Sequence, residues 1–228
     1  MVSPVGFVQD PMGEQESGRQ AIPLGCIVME SPLYVFHEIE GEPDRWAKSI
    51  VETRVKRYPL GLTVRYPGWM YVKLKYGICD LMEHEFHQWR AMPEKLRPYL
   101  LKNVTLERSQ VGKRLLCSDR IRDYGGNFSR TLSQTGEISN PGFWRHVTGI
   151  CETLRSRQLY LLGIFHGGSQ VLVHKASLDD WRPVILDVTK LGRKMYPFQL
   201  DLWRKRAVER KFERQFVRFC ERFSADST

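Results

Sequence analysis

No stretch of this chain approaches the length of an apolar membrane span, so a transmembrane segment is not expected. The opening residues, MVSPVGFVQDPMGEQESGRQ, carry acidic side chains and no apolar core. That is not the pattern of a secretory signal, and it predicts a flexible polar leader over residues 1–22. Cysteine is sparse and odd in number. Positions 26, 79, 117, 151 and 220 include no C-x-x-C pair, so neither a disulfide framework nor a zinc knuckle is suggested. Buried thiols in a reducing cytoplasm are the expectation. The chain also lacks a G-x-S-x-G elbow, without which His166-Gly167-Gly168 does not make a hydrolase oxyanion loop. His166 and His174 have no third ligand at a diagnostic spacing, so a zinc centre is not indicated. Repeats and low-complexity tracts are absent.

What the chain does have is apolar mass and positive charge. Its apolar fraction of 42%, with 11 Phe, 9 Tyr and 6 Trp, predicts a folded globule. The formal net charge is +9, and much of it gathers near the end of the chain. Between residues 203 and 222 eight Lys or Arg stand against three Glu, a basic face able to attract nucleic acid, anionic lipid or an acidic protein partner. The aromatic residues there do not favour single-strand stacking. Phe212, Phe216, Phe219 and Phe223 are spaced as a buried helical stripe, which leaves the basic positions to solvent.

Periodicity gives a coarse order of elements. Residues 27–30 and 33–36 read as a hairpin around Ser31-Pro32, with no mechanism attached. LTVRY, then Pro67-Gly68, then WMYVKLKYG read as two strands and a turn, Met70, Val72 and Leu74 alternating with Tyr71, Lys73 and Lys75. Glu83 to Leu101 is helical but kinked or divided by Pro93 and Pro98. NVTLERSQ and KRLLCSDRI are strands joined across Val111-Gly112, and Tyr124 to Asn127 is a turn. Asn140-Pro141 starts a long helix. Two apolar runs, Val171 to Val173 and Val184 to Leu186, then form a hairpin with Asp179-Asp180 at its polar tip, and the basic helix closes the order. The fold class is α+β. The division is a strand-rich unit over residues 23–121, a linker at 122–138 and a mainly helical unit at 139–228.

This order resembles the small two-lobed protein-kinase-like fold. RLLCSDRIRDYGGNFSRTL, GGSQVLVHK followed by RPVILD, and LWRKRAVERKFERQFVRF are similar to segments of the family of the PhoP regulatory network protein YrbL, over residues 60–222. In kinases a strand lysine holds nucleotide phosphates and pairs with a helical glutamate, and a later Asn and Asp hold magnesium. The resemblance implies Lys73 as that lysine, with Lys75 as a substitute, and Glu85 as its partner. It implies Gln170 at the Asn position and Asp187 as the metal ligand, with ATP and magnesium as the cofactors.

Departures from the kinase pattern set the expected function. Phe165 falls at the base position and cannot accept a proton. Gln170 carries its amide oxygen one methylene too far out for magnesium's strict geometry, and residues 57–70 hold no G-x-G phosphate loop. The expectation is a cytoplasmic pseudokinase, regulatory through nucleotide or partner binding. Two alternatives stand beside it: an active atypical kinase using Asp119 or Asp123 as base, and a basic module binding nucleic acid or a membrane surface without a nucleotide pocket.

Overall fold

The computed structural model of the chain describes residues 21–30, 33–57, 63–68, 70, 72–73, 80–161, 163–188 and 205–225. The leader expected over residues 1–22 therefore lies outside the described residues up to residue 20, and Ile22 is already buried, bridging to Ser109. Lys75, Thr189 and Trp203 also lie outside the described residues.

The fold is α+β. Strands β1 (Leu24–Glu30), β2 (Tyr34–Ile39), β3 (Glu42–Ile50), β6 (Thr105–Arg108) and β7 (Arg114–Asp119) form one antiparallel sheet in the order β1-β2-β3-β7-β6. Two of its connections turn on glycine. Gly41 between β2 and β3 and Gly112 between β6 and β7 adopt φ of +79° and +76°, where a side chain would be strained. Alternation along β3 sorts its residues by face. Ala47 joins Ile39, Leu115 and Cys117 on one side, while Trp46 and Lys48 turn to the other with Tyr34 and Phe36.

Helix α1 (Leu81–Arg90) covers that second face. Asp80 caps it by accepting from the Glu83 amide at 3.0 Å. Leu81, Met82 and Glu85 are its buried residues, so a carboxylate occupies a position in the apolar stripe. Pro93 then enforces the division read from the sequence, and the chain continues as a 3-10 helix over Glu94–Tyr99.

One expected strand is absent among the described positions. Gly68, Met70, Val72 and Lys73 are helical, and β5 (Thr63–Pro67) pairs instead with β4 (Thr53–Arg57). Val72 drops into the core under the sheet while Lys73 faces solvent. An alternation this short fits a helical turn as readily as a strand, and only packing distinguishes them.

The second half builds around helix α3 (Pro141–Ser156), capped by Asn140, which accepts from the Phe143 amide at 2.9 Å. The short strand β8 (Arg130–Thr131) runs into the one-turn helix α2 (Leu132–Thr135) and pairs with the hairpin of β9 (Val171–Lys175) and β10 (Trp181–Ile185). That hairpin is two-faced. Val171, Val173 and Ile185 pack with α3 and with helix α4 (Lys205–Phe223), whereas Leu172, Val184 and Leu186 pack against the cluster beneath the large sheet. The hairpin thus carries the residue after β10 to the underside of the sheet. Among the described residues no helix is long and apolar enough to cross a membrane.

Candidate functional site

The site is assembled from β3, α1 and the segment leaving β10. Lys48 reaches from β3 toward α1, and its Nζ donates to both carboxylate oxygens of Glu85, at 2.6 and 2.7 Å. It also donates to the Leu186 carbonyl at 3.1 Å. Each of the two side chains is 2% exposed. Tyr34 places its ring 3.8 Å from the ammonium, so an aromatic face supplies the wall that water would otherwise occupy. Glu85 in turn accepts from the Val188 amide at 3.2 Å. A lysine ammonium has three donors, and Lys48 meets three acceptors of its own chain.

Asp187 sits between the two backbone groups that hold this pair, and it is buried. Burial pushes the Glu85 carboxyl up to about 7; the Asp187 charge adds to the rise, while Lys48 and the Val188 amide oppose it. Among the described residues no three His, Cys, Asp or Glu side chains converge as a metal-binding group.

The expected ion pair between Lys73 and Glu85 is corrected by this geometry. Lys73 is exposed and helical, and Glu85 is committed to Lys48, 37 residues away along the chain. Lys48 was missed although its signal is in the sequence: Trp46 and Lys48 share one face of a strand that follows an aromatic one. A lysine alternating in phase with a buried Trp needs a buried acid, and Glu85 within the stripe of α1 is that acid.

Phe165 is buried against the rings of Phe212, Phe216 and Phe219, at centroid distances of 5.5, 5.1 and 5.1 Å. It is a core residue of the helical half. Gln170 is half-buried, and its backbone carbonyl accepts from the Leu186 amide at 2.9 Å, which fixes the hairpin exit. Gly167 and Gly168 take φ of +83° and +74° just before it. A Cβ on Gly168 would lie 2.7 Å from the Phe223 ring and 3.0 Å from the Ser133 amide nitrogen, so glycine is required there on both counts.

The two alternative carboxylates serve as structural acceptors. Asp119 accepts from Nδ2 of the Asn103 side chain at 2.7 Å, and Asp123 accepts from the Ser129 hydroxyl at 2.6 Å and the Lys175 backbone amide at 2.9 Å. At the hairpin tip Asp180 holds Arg182 in an ion pair, and its carbonyl accepts from the Ala176 amide, as a turn residue would.

Between the large sheet and the hairpin lies a cleft of about 160 Å³, walled by Val28, Met29, Trp46, Arg120, Phe128 and Leu172 among others. Trp46 is pinned there by its Nε1–H, which donates to Ser118 Oγ at 2.7 Å. Phe128 is held by the guanidinium groups of Arg120 and Arg122, 3.4 and 4.0 Å from its centroid. Neither Lys48 nor Asp187 lines this cleft. No protein-family model matches the chain, and no curated protein matches it in sequence.

Proposed function

We propose that this is a kinase-like protein of the pseudokinase kind, in which the lysine–glutamate pair of a phosphotransferase has become a closed structural latch and the molecule acts by binding a partner. The kinase-like part of the reading rests on a lysine from the third strand of an antiparallel sheet, its glutamate on α1 beyond the β4–β5 pair, and Asp187 two residues after a two-stranded hairpin. The observation that carries the loss of chemistry is the saturation of Lys48. With both Glu85 oxygens and the Leu186 carbonyl as acceptors, no donor of the ammonium remains for a phosphate. Ligand pockets ordinarily measure about 300–1,000 Å³. The cleft of about 160 Å³ is smaller than that, while an adjoining cavity of about 530 Å³, which shares Phe128, Arg130 and Gln134 with it, is within the range; neither is lined by Lys48 or Asp187. Phe165 supplies no base, and general-base help is typically worth about 10²–10⁴-fold in rate.

Transfer of labelled γ-phosphate from ATP to the protein itself, to generic protein acceptors and to small molecules tests the reading. No transfer above the Asp187→Ala background is expected. Robust transfer abolished by Asp187→Ala would establish the atypical kinase instead, with Asp119 or Asp123 the first candidates for the base.

A further inference from the structure

Along α4 the side chains divide sharply. Val208, Phe212, Phe219 and Phe223 are buried against α3 and the hairpin, whereas Arg206, Arg210, Arg214, Arg218 and Arg222 are all exposed. These five arginines follow one another at intervals of four residues. They therefore form a single ridge, inclined to the helix axis, extending about 24 Å at 1.5 Å per residue. Among the described residues none of the five has an ion pair with an acidic side chain. Of the helix's three glutamates, Glu213 pairs with Arg155, which leaves Glu209, accepting from the neutral Tyr160 hydroxyl at 3.2 Å, and Glu221 to offset the row in part.

We infer that this ridge binds the phosphate backbone of double-stranded nucleic acid without regard to sequence. The row consists of arginine alone, whose planar fork grips phosphate oxygens in pairs. The row winds about 160° around the axis from Arg206 to Arg222, about 40° per step, and the helix that carries it is fixed because its apolar stripe is locked into the core. Other anionic partners fit less well. A membrane-surface helix inserts large apolar side chains, and the one exposed large apolar residue on α4 is Val217. Single strands are gripped by stacking on exposed aromatics, and the four phenylalanines of α4 pack inward. An acidic protein surface needs an apolar or aromatic anchor at its centre, and the ridge presents none. The ridge does not include Lys48, Glu85 or the cleft, so its test and that of the latch fail separately.

Binding of a labelled duplex of ~20 base pairs, followed by anisotropy across a salt series, reads the inference directly, because each phosphate neutralised contributes about −0.9 to the slope of log K against log salt. Five contacts predict a slope between about −4 and −5, and Arg214→Gln should make it shallower by about 1. Replacing all five arginines by glutamine should weaken binding by at least ~100-fold at low salt. The thermal unfolding midpoint should stay in place, since the five positions are exposed. If the fivefold variant does not fold, the slopes of Arg214→Gln and Arg218→Gln decide alone. Three results would overturn the inference: no duplex binding at low salt, duplex binding indifferent to these arginines, or binding to phosphatidylserine vesicles or polyglutamate in preference to the duplex.

Discussion

Replacing Glu85 by alanine is expected to destabilise the protein by about 3–5 kcal/mol, because the Lys48 ammonium is then left buried without its counter-charge. Lys48→Met combined with Glu85→Leu should cost far less and can even stabilise, since a well-packed apolar pair avoids the desolvation of both charges. Urea unfolding of the two variants beside the parent protein measures the difference. Equal losses would mean that shape, not charge, sets the cost. The pair also gives stability a pH dependence of definite sign. The folded-state pKa of Glu85 is raised from 4.5 to about 7, so between those values the folded protein binds the proton more tightly than the unfolded chain. This contribution is fully present below pH 4.5 and is lost as pH rises through 7. The stability of the parent relative to Glu85→Gln should accordingly fall across that window. A relative stability that rises there would show that attraction to Lys48 outweighs burial.

Phe212→Ala should cost a similar amount, about 3–5 kcal/mol, because it opens a cavity in a filled aromatic cluster. Phe212 is fully buried and packs edge-on against Tyr160 and Phe165, both at 5.5 Å between centroids. Phe216 is only partly buried, so Phe216→Ala should cost clearly less. Deleting residues 202–228 removes the whole stripe and should abolish soluble expression. A soluble, cooperatively folding truncation, or equal losses for the two alanine variants, would show that α4 contributes little to the core.

Much of this architecture was legible in local pattern. The stripe of α4, the Asn140 cap, the division of the first helix at Pro93 and the hairpin leading to Asp187 all follow from spacing or from turn chemistry, which act within a few residues. Glu85 is half of a buried ion pair, but with Lys48 and not with the Lys73 expected. Choosing between Lys48 and Lys73 depends on which lysine shares a sheet face with buried aromatics, and that is fixed by strand pairing across Phe36↔Lys48 and Lys48↔Leu116. The phase of Lys48 with Trp46 is visible locally, but that their shared face is the buried one is fixed only by pairing over these separations. The filling of the cleft was equally hidden. Trp46 and Phe128 are 82 positions apart and meet only because the large sheet and the hairpin face each other. Phe165, expected at the base position, is a core residue whose packing partners on α4 belong to the far end of the chain.

The central claim is that Lys48 is spent on Glu85 and Leu186 and is not offered to a ligand. Calorimetric titration of the full chain with ATP and ADP, each with and without magnesium, tests it most directly. The account predicts no saturable binding tighter than about 1 mM under any of the four conditions. Micromolar ATP binding that magnesium strengthens and Asp187→Ala weakens would contradict it, and would mean that the latch opens to admit a nucleotide.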